Sequence, residues 1–283
     1  MSAWMKRATT SVALMAALLV PDLARADDAA GHYNLAVQHK REGKLTEAVA
    51  ECQKALQLRP NYAAAHMTLG SIYRLQKNYP GAAAEYEKVV KLEPKDALGH
   101  YNLGVAYQAL GRPDDAIREL EEAQDLKPDD YDTRVSLGKV YSKKADYKHA
   151  IEHLLKATEL KPNEVDAWNS LGIARSKTDD KDGAVAAFQK AIALKPEDGE
   201  LHFGLATAYR RQRKTDEAIA EYQVAVQKNP RLAKAYYDLG LLYSQDKKFP
   251  EARSAFEKYL QYGTSEDAAS RKDAEERLKT LKK

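Results

Sequence analysis

The sequence predicts an all-α solenoid of stacked helical hairpins, because one period runs through the chain and apolar residues follow helical spacing within it. Proline recurs at intervals of 34 residues, at Pro60, Pro94, Pro128, Pro162, Pro196 and Pro230. A row of leucines beginning at Leu35 and a row of alanines beginning at Ala48 keep the same register. Seven repeats therefore follow one another without insertion or deletion, at 29–62, 63–96, 97–130, 131–164, 165–198, 199–232 and 233–266.

Each repeat is predicted to form two short amphipathic helices joined by a tight turn. In the first repeat, Leu35 and Ala36 belong to the apolar stripe of one helix, and Ala48 and Cys52 belong to that of the next. Gly43 lies between the two stripes, as expected of a turn residue. The periodic proline ends the second helix because its ring clashes with a continuing helix. One such hairpin cannot bury its own apolar face, whereas stacked hairpins bury a continuous core.

Glycine recurs within the first helix in five of the seven repeats, although a helical glycine costs about 1 kcal/mol relative to alanine. The row contains Gly70, Gly104, Gly138, Gly172 and Gly240. This repeated cost predicts a close approach of helix backbones. Cys52 is the only cysteine, so an intramolecular disulfide is impossible, and we expect a small core residue there.

The amino terminus has the features of a secretory signal. Lys6 and Arg7 precede an apolar stretch over 8–20, and Ala24-Arg25-Ala26 has the small-residue pattern of a cleavage site. The alternative is a membrane anchor, but a spanning helix needs about 20 apolar residues. We expect cleavage after Ala26 and export to the periplasm, with neither a lipid-anchor cysteine nor membrane insertion afterwards.

The charge balance of the chain bears on two classes of partner, nucleic acids and anionic membranes. The formal net charge is +3, and residues 1–26 contribute about two of those charges. A mature chain so close to neutrality gives no electrostatic reason to expect nucleic acid or an anionic membrane as partner.

The repeat motif carries a family resemblance. The fifth repeat contains Trp168, Leu171 and Gly172 at the spacing W-x2-L-G, followed by Ala184 and Phe188 at the spacing A-x3-F. This pattern resembles the tetratricopeptide repeat. The resemblance implies a right-handed superhelix whose first helices line a concave groove for extended peptides or partner helices. It departs at residue 175, where arginine replaces the usual tyrosine, so we expect a weaker seam there. The residues after the last repeat, 267–283, are expected to form a capping helix.

The repeats leave no room for a second domain, so we expect a binding scaffold without a cofactor and not an enzyme. Helical spacing and the family resemblance together predict which side chains line the groove. They are Tyr33, Asn34, Val37, Met67, Arg74, Tyr101, Asn102, Val105, Lys139, Asn169, Phe203, Arg210, Tyr237 and Leu241. The alternatives are packing within the first-helix layer for the aromatic residues, and stabilisation of helix ends for the cations.

Two further patterns leave other functions open. His149, Glu152 and His153 match the H-x-x-E-H zinc motif, in a second helix whose apolar face is needed for stacking. A row of histidines, His32, His66, His100 and His202, fills an interhelical slot or forms a pH-sensitive groove. The partners expected are other proteins, serving the assembly of a cell-envelope complex. Self-assembly into a homo-oligomer or filament is the alternative.

Overall fold

The computed structural model describes residues 27–263 and 268–281 of the chain. The predicted signal segment, with Ala24 and Ala26, lies outside the described residues. The chain divides into an N-terminal unit ending at Asp129 and a C-terminal unit beginning at Asp130. This division falls one residue before the predicted boundary between the third and fourth repeats.

All regular structure in the described residues is α-helical, which confirms the predicted fold class. The described part of the N-terminal unit contains α1 (27–41), α2 (Leu45–Leu58), α3 (Ala63–Leu75), α4 (Tyr79–Leu92), α5 (Ala97–Ala109) and α6 (Pro113–Leu126). The described part of the C-terminal unit contains α7 (Tyr131–Lys143), α8 (Tyr147–Leu160), α9 (Val165–Ser176), α10 (Lys181–Leu194), α11 (Gly199–Arg211), α12 (Thr215–Lys228), α13 (Ala233–Gln245), α14 (Phe249–Tyr262) and α15 (Ala268–Thr280). Odd-numbered helices through α13 are the first helices of the seven hairpins. Within the described residues, no helix is both long and apolar enough to span a membrane.

The turn inside six of the seven hairpins contains a left-handed residue at one repeat position, and the fifth hairpin is the exception. Gly43 and Gly111 have φ values of 75° and 71°, as their placement between the helices suggests. The equivalent position is also left-handed without a glycine in four repeats, at Lys77, Ala145, Arg213 and Lys247. The helices on either side therefore impose a conformation that the local sequence does not favour.

The glycine row has a different cause from the one predicted. A Cβ on Gly240 would lie 2.6 Å from Cε1 of Phe256, and a Cβ on Gly70 would lie 2.7 Å from Cε1 of Tyr86. Each glycine receives a large side chain from the second helix of its own hairpin, so the close contact is between backbone and side chain. In the first repeat the receiving residue is Ala36 and the incoming one is the smaller Cys52, both fully buried. The prediction that Cys52 is a core residue is confirmed, and burial raises the pKa of its thiol to about 12.

The C-terminal helix covers the last hairpin, as predicted. Ala274 of α15 is fully buried in a cluster with Tyr236 of α13 and with Phe256 and Tyr259 of α14. Its other side chains are largely polar and exposed, so α15 ends the apolar core of the C-terminal unit with a hydrophilic surface.

The turn of the fifth repeat is held by the residue that departs from the family pattern. Arg175 Nη1 donates a hydrogen bond to the Gly183 carbonyl at 3.2 Å, and its Nε lies 3.1 Å from a carboxylate oxygen of Asp180. Arg175 thus bridges α9 to the start of α10. Whether this seam is weaker than the others stays a prediction.

Substituting Gly240 with alanine tests the contact between glycine and the second helix. Although alanine favours helix by about 1 kcal/mol, the new methyl group would overlap the fully buried Phe256 ring. Overpacking of this kind costs about 1–3 kcal/mol, so we expect Gly240→Ala to lower the free energy of unfolding in urea denaturation. The control is Gly31→Ala in α1, where a Cβ meets nothing within 4 Å. Equal stabilisation of both variants would contradict the packing account.

Candidate partner-binding groove

The first helices of the C-terminal unit enclose an open cavity of about 200 Å³. Its apolar wall includes Ile173 of α9, Phe188 of α10 and Phe203 of α11. Ile173 remains 45% exposed, so part of this apolar wall is open to solvent. The whole lining, called the C-terminal groove below, is Asn169, Ile173, Ser176, Phe188, Glu200, Phe203, Gly204, Thr207 and Lys234.

The floor of this cavity is set by a close contact between α10 and α11. A Cβ on Gly204 would lie 2.5 Å from Cε1 of Phe188, so only glycine leaves room for the ring at this depth. The second helix therefore contributes an aromatic surface to a groove whose other residues come from first helices. Asn169, Ser176 and Thr207 add hydrogen-bonding groups to the same lining.

Ion pairs between neighbouring first helices neutralise the charges along this side of the C-terminal unit. Lys234 Nζ lies 2.6 Å from Glu200 and 4.5 Å from the centroid of the Phe203 ring. Two similar pairs connect Lys139 to Asp166 at 2.6 Å and Arg210 to Asp238 at 3.1 Å. The pair of Arg210 and Asp238 is partly buried. Its Asp238 carboxylate also accepts a hydrogen bond from the Tyr222 hydroxyl at 3.0 Å. Burial raises the pKa of Asp238, while Arg210 and Tyr222 oppose that shift.

The structure brings together some of the predicted groove residues of the C-terminal unit and separates others. Asn169 and Phe203 line the cavity, and Lys139 and Arg210 form the ion pairs beside it. Leu241 packs against the cluster under α15 instead. The sequence analysis misses three lining residues, Phe188, Glu200 and Lys234. Phe188 lies on α10, a second helix, which is not expected to reach the groove. Glu200 and Lys234 form an ion pair across 34 residues of sequence, and such a pair leaves no local signal.

Tyr237 is engaged within the protein. Its hydroxyl donates a hydrogen bond to Asp273 of α15 at 2.9 Å, and its ring lies 5.1 Å from the Tyr259 ring. The Asp273 carboxylate is held by Arg277 as well, and this hydrogen bond lowers its pKa. Tyr237 therefore contributes to the docking of the capping helix.

The predicted groove residues of the N-terminal unit lie on its first helices but line no comparable cavity among the described residues. The Tyr33 ring packs against Tyr62 with 5.1 Å between centroids, and Asn102 Nδ2 lies 3.5 Å from Met67 Sδ. The remaining predicted residues differ in exposure. Asn34 and Arg74 are exposed, whereas Val37, Tyr101 and Val105 are half-buried.

Family models match the chain over almost all of its repeats. Models described as tetratricopeptide repeat match residues 29–62, 96–163, 135–199, 169–233 and 203–269, and one described as TPR repeat matches 70–111. The chain belongs to the tetratricopeptide-repeat family. A search of curated proteins returned no match.

Solved structures similar to this tetratricopeptide-repeat chain support the same fold. A tetratricopeptide repeat protein from Parabacteroides merdae has 20% identity and a TM-score of 0.68, with 91% of this chain and 100% of that chain covered. MamA has 27% identity and a TM-score of 0.56, with 61% and 94% covered. YrrB, described as having an unusual peptide-binding site, has 25% identity and a TM-score of 0.57, with 66% and 92% covered.

The histidine row links three of the tetratricopeptide repeats to the loop before them, and Trp168 makes the same link in a fourth. His66 Nε2 lies 2.8 Å from the Pro60 carbonyl, and its Nδ1 lies 2.5 Å from Glu85. The same two contacts recur at His100 and at His202, and in the fifth repeat Trp168 Nε1 donates to the Pro162 carbonyl at 2.8 Å. The prediction of an interhelical slot is confirmed, and the ring also joins the second helix to the preceding proline. Both partners of each ring are hydrogen-bond acceptors, so a ring that carries both protons satisfies them together.

The H-x-x-E-H motif is not assembled into a metal site in the described part of the chain. His149 is exposed and its Nδ1 pairs with Asp146 at 2.7 Å. His153 is buried, stacks on Tyr141 and has Nδ1 3.4 Å from Arg134. No group of three or more potential metal ligands occurs among the described residues.

Replacing His66 with leucine tests the link between repeats. The substitution removes both contacts of the ring and leaves the buried Glu85 carboxylate with Lys88 alone. Because a buried polar group that loses its partner costs about 1–3 kcal/mol, we expect a loss of that size in thermal or urea unfolding. His149→Leu is the matched control, and its exposed ion pair should change stability by less than about 1 kcal/mol. Similar losses for both variants would refute the special role of the row.

Proposed function

We propose that this tetratricopeptide-repeat protein is a non-catalytic scaffold that binds an extended segment of a partner protein in the C-terminal groove. The observation that carries the proposal is the open cavity of about 200 Å³ beside the exposed Ile173. Sites for free small ligands usually measure about 300–1,000 Å³. A cavity below that range suits one apolar side chain that projects from a longer peptide.

The surroundings of the cavity favour an apolar anchor over a charged one. Lys234 and Glu200 at its edge neutralise each other, so an incoming charge would have to break an existing pair. Asn169, Ser176 and Thr207 can hydrogen-bond a peptide main chain whatever its sequence. Because these groups lie on packed helices, little ordering entropy is lost by the receptor on binding. The similarity to YrrB, described as having a peptide-binding site, supports the same kind of ligand.

The test is capture of partners from an envelope extract with residues 27–283 as bait. We expect Ile173→Ser to reduce the capture of partners at least several-fold, because it removes the exposed apolar wall of the cavity. The matched control is Leu155→Ser on α8, where an aliphatic side chain of similar exposure, 37%, lies outside the cavity. Both baits are first checked for equal helix content by circular dichroism.

Two outcomes would contradict binding in the C-terminal groove. Equal capture by wild type and Ile173→Ser would place binding elsewhere. Capture of the bait's own chain alone, with no other protein, would favour self-assembly. A partner lost only with Ile173→Ser would then be cut into segments, and the binding segment found by isothermal titration calorimetry.

We further propose that residues 1–26 direct the chain to the periplasm, where it would hold together components of a cell-envelope assembly. The support is the sequence of the segment, with Lys6 and Arg7 before its apolar stretch and Ala24 and Ala26 at its end. Mass spectrometry of the periplasmic protein should show an amino terminus at Asp27. Replacing Ala24 and Ala26 with lysine should block processing and retain the full-length precursor. A cytoplasmic protein that keeps residues 1–26 would contradict export.

A further inference from the structure

The fixed repeat length allows one polar cluster of the C-terminal unit to be compared with its equivalent in the N-terminal unit. In the C-terminal unit, Arg210 Nη1 donates to Asp238 at 3.1 Å and the Tyr222 hydroxyl donates to the same carboxylate at 3.0 Å. Thr207 Oγ1 lies 3.1 Å from the Tyr222 hydroxyl. One carboxylate from α13 thus satisfies groups from α11 and α12.

The equivalent residues of the N-terminal unit lie four repeats, or 136 residues, earlier in the sequence. They are Ser71 for Thr207, Arg74 for Arg210, Tyr86 for Tyr222 and Asn102 for Asp238. The four positions keep the same chemistry except for one, where the amide of asparagine replaces the carboxylate. The N-terminal unit therefore has the donors of this cluster without its anion.

The donors of the N-terminal unit remain without an anion in the structure. The Tyr86 side chain is fully buried, and its hydroxyl has no hydrogen-bond partner among the described residues. Asn102 turns its Nδ2 toward Met67 Sδ, at 3.5 Å. Within the described part of the chain, Arg74 forms no ion pair, although it is exposed and accessible from solvent.

A second cation lies beside Arg74. Lys40 Nζ donates a hydrogen bond to Ser71 Oγ at 2.7 Å and forms no ion pair with any described residue. Ser71 and Arg74 lie one helical turn apart on α3, so this hydrogen bond holds Lys40 next to Arg74. Burial lowers the pKa of Lys40, and the positive charge of Arg74 lowers it further. At the equivalent position of the C-terminal unit the residue is the neutral Ser176. Two cations and no carboxylate thus occupy a place where the other unit has one cation and one carboxylate.

A second comparison, over three repeats or 102 residues, shows that the cluster faces the side on which the C-terminal groove opens. In the C-terminal unit, Ile173, Ser176 and Gly204 line the open cavity. Ile173 and Ser176 occupy the repeat positions of Ser71 and Arg74, and Gly204 occupies that of Asn102. These positions therefore face the side of the repeats on which a partner segment would lie.

We propose that Lys40 and Arg74 bind a carboxylate side chain of a partner segment. That carboxylate would occupy the position that Asp238 occupies in the C-terminal unit. The inference rests on the proposed function, in that first helices receive a partner segment, and it names the chemistry of that segment in the N-terminal unit. Charge-assisted hydrogen bonds to guanidinium and ammonium groups supply the attraction. The Asn102 amide can add a further N–H donor at the position of the missing carboxylate.

The test uses nuclear magnetic resonance on residues 27–283 titrated with three pentapeptides. One has blocked termini and a central aspartate, the second has asparagine in its place, and the third lacks acidic side chains but has a free C-terminal carboxylate. We expect the Arg74 Nε–Hε and Tyr86 ring signals to shift saturably with the aspartate peptide and at least tenfold more weakly with the asparagine peptide. Saturation with the third peptide alone would overturn the assignment to a side chain. Equal shifts with the aspartate and asparagine peptides would overturn the requirement for a carboxylate.

Asn102→Asp tests the internal template, since it supplies the N-terminal unit with its own carboxylate. We expect this variant to bind the aspartate peptide at least tenfold more weakly, because the new carboxylate pairs with Arg74. Asn61→Asp is the matched control, with the same change of charge in an exposed loop of the same unit. An equal loss in both variants would mean that net charge alone governs binding.

Arg74→Gln keeps the proposal testable if Asn102→Asp perturbs folding, because Arg74 is exposed and its replacement should not unfold the unit. Unchanged affinity for the aspartate peptide in Arg74→Gln would overturn the site. The outcome is separable from the proposed function, which is judged by the effect of Ile173→Ser on partner capture. If the Arg74 Nε–Hε signal does not shift with the aspartate peptide while Ile173→Ser still loses partner capture, the carboxylate site is refuted and the proposed function is not.

Discussion

The packing of one large second-helix side chain onto a glycine of the first helix governs both the core and the groove. The incoming residue fills the hairpin and continues to the surface that the first helices present. In the fifth repeat it is Phe188, which forms the apolar floor of a cavity. In the second repeat it is Tyr86. In the sixth repeat, where Ala206 replaces the glycine, it is Tyr222, whose hydroxyl donates a hydrogen bond to Asp238. A single core position thus also decides whether the groove beside it is apolar or hydrogen-bonding.

Because the hairpins keep one length, differences between repeats at equivalent positions can be interpreted directly as differences in surface chemistry. The C-terminal unit neutralises charges beside its apolar cavity through pairs such as Lys234 with Glu200. The N-terminal unit has Lys40 and Arg74 without an anion among the described residues. Each unit therefore offers its own surface chemistry on the same hairpin backbone.

The sequence was sufficient to predict the hairpins, since period, helical spacing and proline position are local or strictly repeated signals. It was less informative about side-chain partners. The glycine row predicts a close approach of helix backbones, whereas in the structure the Phe256 and Tyr86 rings are what approach Gly240 and Gly70. Tyr237 follows the spacing of a groove residue, yet its hydroxyl bonds Asp273 of α15, and that partner lies 36 residues away. Contacts of this kind depend on distances between helices that no local pattern encodes.

The contrast between Asp238 and Asn102 also explains how an unpaired cluster can give specificity. Burying a carboxylate costs desolvation free energy, which its hydrogen-bond donors must offset. For Asp238 in the C-terminal unit, this cost is part of the free energy of folding. In the N-terminal unit the proposed carboxylate comes from the partner, so the same balance would be decided at binding. A ligand with an amide in place of the carboxylate would strip water from Lys40 and Arg74 without neutralising either charge. Sites with donors but no anion therefore discriminate against neutral analogues more strongly than an apolar cavity can.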